Sequence, residues 1–267
     1  MNYFIDYWDE VIRQWLNKVI EYQQQFFLNE KKLNLSEMDM PEPYWGNPHK
    51  CSIVIANYNP GGGADRSRHT YRECANCPDS FINQVKQHGY SKVALDFPII
   101  NDPDNKERTF CWWKEYGGRK WWLNKMKWLD EIEQAIPHYK ESTHKPFAIE
   151  FCGWHSTNWP QNACCSLYAN NAIKPVIDKY FIKPLADAVH NSDTHLGLCV
   201  GSQFFHLFDK MCKTDPCVKH ICKYPLSTKA PHNIHLFKIH GENIIVIWGK
   251  GFNRYPKGIG ATINNII

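Results

Sequence analysis

Short apolar segments typical of strands alternate along this chain with longer segments whose apolar residues recur at helical spacing. Strands are predicted for residues 51–57, 147–152 and 196–200, and a hairpin for residues 233–239 and 243–248. Helices are predicted for residues 4–27, 79–88, 118–136, 172–190 and 203–211, with a last one near residue 258 and a strand or extended piece at 92–99. Strands that alternate with helices favour a parallel sheet covered on both faces. The chain is therefore predicted to be an α/β protein with three layers, α/β/α, around a mostly parallel central sheet.

A length of 267 residues is enough for one large α/β domain or two small ones. No linker rich in Pro, Ser or Gly divides the chain, so a single domain of residues 1–267 is predicted, in which residues 1–45 form a helical extension packed on the core. No apolar run approaches the roughly 20 residues of a membrane-spanning helix. The first residues lack the basic start and the continuous apolar block of a signal peptide. A soluble, cytoplasmic protein without a membrane partner is expected.

The eleven cysteines raise the question of a metal site. Only one C-x-x-C pair is present, Cys74 and Cys77, whereas a structural zinc site usually has two such pairs or one pair with two histidines. Zinc binding by Cys74, Cys77 and His69 with a distant fourth ligand stays open as the alternative to free thiols. Neither a metal nor a cofactor is predicted.

Residues 53–63, with the sequence IVIANYNPGGG, are typical of a buried strand that enters a tight loop. Pro60 fixes a backbone angle, and the glycines that begin with Gly61 let the backbone approach a ligand closely. Asn59 is therefore expected to be held rigidly at the carboxyl end of a strand, the edge at which open α/β sheets bind ligands. An ordinary turn would use the same residue types. The glycine spacings of nucleotide-binding loops are absent.

Other predicted strands end in residues that could share this edge. Glu150 lies near the end of the second strand, Gly201 follows the third, and the loop 249–256 follows the last. Because the carboxyl ends of parallel strands meet at one edge of the sheet, these positions are expected to lie near Asn59.

The order of these elements resembles the uracil-DNA glycosylase superfamily over roughly residues 51–260. In that family a first strand ends in a motif such as G-I-N-P-G, to which IANYNPGG is similar. The resemblance implies that Asn59 is the catalytic residue that positions the attacking water. It also places Tyr71 where the family has an aromatic ring that stacks on a flipped base.

Later motifs of the family are matched less closely. In the family, an Asn at the end of the second strand recognises the base, and the segment IEFCG has Glu150 at that position. The segment LCVGSQFFHLF, which contains Gly201, resembles the family's third-strand motif L-L-W-G-x-x-A. The family's last motif, H-P-S-P or N-P-S-G, has no clear counterpart near Lys250 and Asn253. Lys250 or Arg254 would have to stabilise the departing base in place of the family's histidine.

The resemblance implies a DNA N-glycosylase that excises a flipped base from single- or double-stranded DNA. Asn59 could hold a water but could not act as a base, because an amide does not titrate. An ionised Glu150 would offer only acceptors, so an amino-bearing or modified base is expected to be preferred over uracil. Pro60 and Gly61 would border a roomy pocket, unless Gly61 only satisfies a turn.

Further residues have candidate roles in this activity. His155, in the loop after the second strand, is a candidate for acid–base work, or else a solvated loop residue. The net charge of +4 is compatible with a nucleic-acid partner without requiring one. Arg66, Arg68 and Arg254 are candidates for contacts with DNA phosphates, although arginines are common on any solvated face.

Two other functions stay open. One is a catalytically silent module on the same fold that binds nucleic acid or nucleotides, which the weak last motif favours. The other is an unrelated small-molecule enzyme or metal-binding protein that uses Cys74, Cys77 and His69. The iron–sulfur branches of the family place a C-x-x-C pair before the first motif, whereas here the pair follows it, so an iron–sulfur cluster is not expected.

Overall fold

A computed structural model of the protein describes residues 1–18, 33, 35, 40–58, 81–95, 131–132, 134–135, 146–156, 159–225, 233–248 and 258–267. In chain order its elements are α1 (Asn2–Leu16), β1 (Tyr44–Trp45), β2 (Val54–Asn57), α2 (Phe81–His88), α3 (Tyr90–Leu95), β3 (Phe147–Glu150), α4 (Ala163–Tyr168), α5 (Lys174–Ile177), a π-helical turn (Asp178–Ile182), α6 (Lys183–Asn191), β4 (Leu196–Val200), α7 (Ser202–Met211), β5 (Val218–Pro225), β6 (Asn233–Ile239), β7 (Glu242–Trp248) and α8 (Ile259–Asn264). Within these ranges, no helix is long and apolar enough to cross a membrane.

The strands form one mixed sheet in the order β1-β3-β2-β4-β7-β6-β5. Strands β3, β2, β4 and β7 are parallel to one another, whereas β1, β6 and β5 each pair with a neighbour in the antiparallel sense. The predicted α/β class is confirmed. The sheet is mixed and not mostly parallel as predicted. Strands β1 and β5 were not predicted, and each adds an antiparallel pair to that of the predicted hairpin.

The parallel strands bury side chains on both faces. On one face Val54 and Ala56 pack in a cluster with residues of α1, α6 and α7. On the other face Ile53 and Ile55 pack with Ile132 and with residues of α8. Because both faces of β2 are covered, its sequence is a continuous apolar run rather than an alternating one. Helices therefore lie on both sides of the sheet.

The predicted helix at residues 4–27 ends earlier than expected. Helix α1 buries residues at helical spacing, including Phe4, Trp8 and Ile12, and ends at Leu16. The next turn closes through a hydrogen bond from the Lys18 N–H to the Trp15 carbonyl, and Lys18 takes a φ of 58°. A residue with this left-handed backbone conformation ends a helix.

Pro184 lies inside the predicted helix at 172–190, where a proline favours a kink or a break, but the helical path continues through it. A proline ring clashes with the carbonyl four residues earlier and lacks the N–H that would bond to it. Here the π-helical turn Asp178–Ile182 lies just before Pro184 and contains Tyr180, the residue whose carbonyl would clash. A wider turn accommodates the ring without a break.

The prediction of a strand or extended piece at 92–99 was wrong for residues 92–95, which belong to α3. Tyr90, Val93 and Ala94 are buried at helical spacing. The Asp9 carboxylate of α1 accepts a hydrogen bond of 2.7 Å from the Ser91 N–H, which satisfies a donor in the first turn of α3. The contact ties α3 to α1.

Tyr90 offers a test of how the edge strand is held. The Tyr90 hydroxyl donates a hydrogen bond of 2.6 Å to the Tyr44 carbonyl of β1, and both side chains are buried. We expect Tyr90→Phe to lower the free energy of unfolding by about 1–2 kcal/mol, because the change removes a buried hydrogen bond. Tyr224→Phe is the matched control, since Tyr224 is 40% exposed. Urea unfolding with equal midpoints for the two variants would contradict the assignment.

Candidate functional site

Two polar side chains meet where adjacent parallel strands end. Asn57 is the last residue of β2 and Glu150 the last of β3, and the two are register partners. The Asn57 Nδ2 atom donates a hydrogen bond of 3.0 Å to Glu150 Oε1. Partners in parallel strands point to the same face, so this bond follows from the register of the strands. The predicted position of Glu150 at the carboxyl edge of the sheet is confirmed.

The carboxyl group of Glu150 is held in an unusual environment. The residue is 9% exposed, and its Oε2 atom is buried without a hydrogen-bond partner among the described residues. The pKa of Glu150 is raised from 4.5 to about 8, mainly by burial and also by the nearby Glu42, while the Asn57 hydrogen bond and His155 oppose the rise. The protonated acid therefore predominates at neutral pH. The expectation of an ionised Glu150 is corrected on this point.

Glu42 and His155 form a second buried polar pair beside Glu150. Glu42 Oε1 lies 3.2 Å from His155 Nε2, and Glu42 Oε2 accepts a hydrogen bond of 3.3 Å from the Trp45 indole. Glu42 and His155 are 2% and 4% exposed. His155 is thus a buried partner of a carboxylate and not a solvated loop residue. Its contact with Glu42 connects it to the environment of Glu150.

The backbone before β1 places Glu42. The Glu42 N–H donates to the Gly153 carbonyl at 2.8 Å, and the Glu150 N–H donates to the Pro43 carbonyl at 2.9 Å. These bonds continue the antiparallel pairing of β1 with β3 past the strand ends. Sequence reasoning missed Glu42, because a single Glu between two prolines carries no motif.

A second group of residues lies between the ends of β2 and β4. Strand β3 lies on one side of β2 and strand β4 on the other. A ligand-binding crevice is expected where the order of parallel strands reverses in this way. Tyr58 follows β2 directly, and its hydroxyl accepts a hydrogen bond of 3.0 Å from the Gln203 N–H in the first turn of α7. Burial raises the pKa of Tyr58, so its hydroxyl stays protonated.

Gly201 borders this tyrosine. Gly201 has a φ of 113°, and a Cβ atom there would lie 1.8 Å from the Tyr58 hydroxyl oxygen. The ring of Tyr58 lies nearly parallel to that of Trp159 at 6.5 Å and contacts Phe204 at 4.8 Å. The predicted site residue Gly201 therefore gives Tyr58 the space that it occupies. Tyr58 itself was missed, although its place directly before Asn59 was a usable signal.

The structure describes three of the predicted site residues, Glu150, His155 and Gly201. The first two lie together around Glu42, and Gly201 lies against Tyr58. The other predicted residues lie outside the described residues: Asn59, Pro60, Gly61, Arg66, Arg68, Tyr71, Lys250, Asn253 and Arg254. The same holds for the alternative zinc ligands His69, Cys74 and Cys77.

Metal-ligating residues do not gather in the described part of the chain, where no group of three or more His, Cys, Asp or Glu side chains could hold an ion. Cys152 lies two residues after Glu150, and burial raises the pKa of its thiol to about 12. Such a thiol is protonated and unreactive at neutral pH.

The site therefore combines a neutral buried acid, an amide that fixes one of its oxygens, and an aromatic group one strand away. This arrangement can recognise a ligand by hydrogen bonds and stacking. In comparisons with models of protein families, with curated proteins and with solved structures, nothing matches the chain.

Proposed function

We propose that this protein is a DNA N-glycosylase of the uracil-DNA glycosylase type, which excises a base that has been flipped into a pocket at the carboxyl edge of the sheet. In this proposal Asn59 positions the attacking water, and Glu150 holds the base. The observation that carries it is the hydrogen bond between Asn57 and Glu150, which joins the ends of the two strands to which the resemblance assigns the water-positioning and base-reading motifs.

Base recognition and cleavage of the glycosidic bond require groups of the kind that Glu150 and Asn59 supply. A flipped base is recognised by hydrogen bonds to its edge and by stacking on aromatic rings. Glu150 is buried and has one oxygen without a described partner, so it can bond to such an edge. Cleavage of the glycosidic bond passes through an oxocarbenium-like sugar, and a positioned water must then attack it. Asn59 comes two residues after the end of β2, next to Tyr58.

The strand directions support the same proposal. Strands β2, β3, β4 and β7 are parallel, so their carboxyl ends lie at one edge of the sheet. These are the four strands to which the resemblance assigns motifs. Lys250 comes two residues after the end of β7 and Arg254 six, so the candidates for stabilising the departing base follow the strand that ends at this edge.

The test is excision from labelled oligonucleotides, single- and double-stranded, that carry uracil, mismatched thymine, hypoxanthine or modified cytosines. We expect an abasic product with at least one base, and we expect Asn59→Ala to lower its rate about 100-fold or more, since a misplaced reactant costs on this order. Asn264→Ala, a change at an exposed position of α8, is the matched control and should leave the rate unchanged.

Two results would contradict the proposal. An Asn59→Ala variant as active as the Asn264→Ala control would remove Asn59 from the chemistry. Oligonucleotides that bind without yielding an abasic product from any base would identify a binding module that has no glycosylase activity.

A further inference from the structure

We propose that an aromatic and basic surface beside the candidate site binds the single-stranded nucleic acid that flanks the flipped nucleotide. This flanking surface consists of Phe205 and His206 of α7, His220 and Lys223 of β5, and Trp248 of β7. The resemblance assigns a role to none of these residues. The inference rests on the nucleic-acid partner of the proposed function but not on its cleavage step.

Strand register and ring contacts bring the residues of the flanking surface together. Lys223 is the register partner of His235 on β6, and opposite residues in an antiparallel pair share a face of the sheet. The centroid of the Phe205 ring lies 4.3 Å from that of His235 and 4.9 Å from that of Trp248. It lies 6.1 Å from the centroid of the His220 ring. Helix α7 therefore packs on the face of the hairpin to which Lys223 belongs.

The flanking surface lies at the same edge of the sheet as the candidate site. Trp248 is the last residue of β7, which runs parallel to the strands that end in Asn57 and Glu150. Only β4 separates β7 from β2, and neighbouring strands lie about 4.8 Å apart, so the ends of β7 and β2 are about 10 Å apart. About three nucleotides span this distance at 3.4 Å each. A strand with one nucleotide in the candidate site therefore reaches the flanking surface.

The rings of the flanking surface are held in place and stay partly open. The rings of Phe205 and Trp248 are within 19° of parallel, and His206 meets Trp248 edge-on at 5.6 Å. The Nε2 atom of His220 lies 3.1 Å from Nδ1 of the buried His235. His220 is exposed, and the other three rings of the surface are only partly buried. Bases of any sequence stack on such rings, and rings that are already held lose less freedom when a base binds.

The charge of this region favours a polyanion. Strands β5 and β6 contain three lysines and no Asp or Glu: Lys219, Lys223 and Lys238. Lys219 and Lys238 are register partners, and like charges opposite each other repel until an anion approaches. Asp209 of α7 is already paired with Lys213 at 2.9 Å. The exposed Lys223 beside stackable rings favours a nucleic acid over an acidic peptide, because Asp and Glu side chains have no ring to stack.

The experiment measures the binding of a fluorescein-labelled, twelve-nucleotide oligothymidylate to the full-length protein by fluorescence anisotropy, between about 50 and 200 mM salt. We expect Lys223→Ala to lower the slope of log Kd against log salt by about 0.7, the value for one phosphate contact with a single strand. Lys50→Ala is the matched control, because Lys50 is exposed and precedes β2, at the opposite edge of the sheet. It should leave the slope unchanged.

Two variants of Trp248 test the stacking contact. Trp248→Leu should weaken the binding of the oligothymidylate about 5- to 100-fold, the loss that corresponds to stacking on one base. Trp248→Phe keeps an aromatic ring, so it should retain most of the affinity.

Any one of four results would overturn the inference. The wild-type protein would fail to bind the oligothymidylate, Lys223→Ala would keep the salt dependence of Lys50→Ala, or the two Trp248 variants would bind equally. A decaglutamate peptide that displaces the labelled strand as effectively as unlabelled oligothymidylate would identify an acidic peptide as the partner instead. If Trp248→Leu does not fold, the comparison of the two exposed lysines decides the matter.

The failure of this inference is distinguishable from that of the glycosylase function. An abasic product in the excision assay, together with any of these four results, would leave the glycosylase standing without the flanking surface. The expected losses of binding, without an abasic product from any base, would leave the flanking surface standing and overturn the glycosylase.

Discussion

Gly201→Ala is expected to lower the free energy of unfolding by about 3 kcal/mol or more. Two costs combine at this position. Gly201 has φ 113° and ψ 157°, a region that is essentially restricted to glycine and costs another residue about 1–3 kcal/mol. The added Cβ would also lie 1.8 Å from the Tyr58 hydroxyl oxygen and 2.6 Å from its ring carbon, so the tyrosine must move. Overpacking of this kind costs about 1–3 kcal/mol.

Two further variants separate these costs. Gly241→Ala in the turn between β6 and β7 has a φ of 94° and open space around the Cβ, so it measures the backbone cost alone, about 1 kcal/mol. In Tyr58→Ala the clashing ring is absent, so Gly201→Ala should cost less in that background than in the wild type. Strictly additive costs for the double variant in urea unfolding would show that Tyr58 does not occupy the space over Gly201.

The clash between an alanine at position 201 and Tyr58 would affect the candidate site as well as the stability of the protein. Tyr58 comes directly before Asn59, and its hydroxyl is fixed by the Gln203 N–H of α7. Displacing the ring would break this hydrogen bond and the contact with Phe204. Gly201 thus serves the candidate site by making room for an aromatic neighbour, a role that differs from direct contact with a substrate.

The strands that carry the site could be predicted from sequence because local chemistry determines them. Strands β2, β3 and β4 are buried on both faces, so continuous apolar runs identify them. The turn of the predicted hairpin contains His240 and Gly241, both with positive φ, as a tight two-residue turn requires. Glu150 could be placed at the carboxyl edge of the sheet because parallel strands end together, whereas its partner Asn57 was not singled out from the sequence.

Features set by long-range contacts could not be predicted in this way. Strand β5 is mostly exposed and contains Lys219 and Lys223, so its sequence lacks the apolar pattern of a strand, and pairing with β6 determines it. The burial of His155 depends on Glu42, which lies far away in sequence and comes close only through β1. The raised pKa of Glu150 depends on the same packing, which is why the sequence alone led to the expectation of an ionised Glu150.

Glu150 is expected to make the stability of the protein fall as the pH rises. Its pKa is raised from 4.5 to about 8 by burial, so the folded state holds a proton that the unfolded chain releases. A raised pKa in the folded state contributes stability that is complete below pH 4.5 and is lost as the pH rises through 8. Each pKa unit corresponds to about 1.4 kcal/mol, so the loss between pH 4.5 and 9 should be about 3–5 kcal/mol.

Glu150→Gln provides the reference for this measurement, because every other titrating group is shared by the two proteins. Urea unfolding at pH 4.5, 6.5, 8 and 9 should show a wild-type stability that declines relative to the variant across this range. The variant should be the more stable protein at pH 9, since its amide has no charge to bury. A difference between the two proteins that stays constant with pH would mean that Glu150 has an ordinary pKa and is ionised at neutral pH. The Glu150 side chain would then offer only hydrogen-bond acceptors at the carboxyl edge of the sheet.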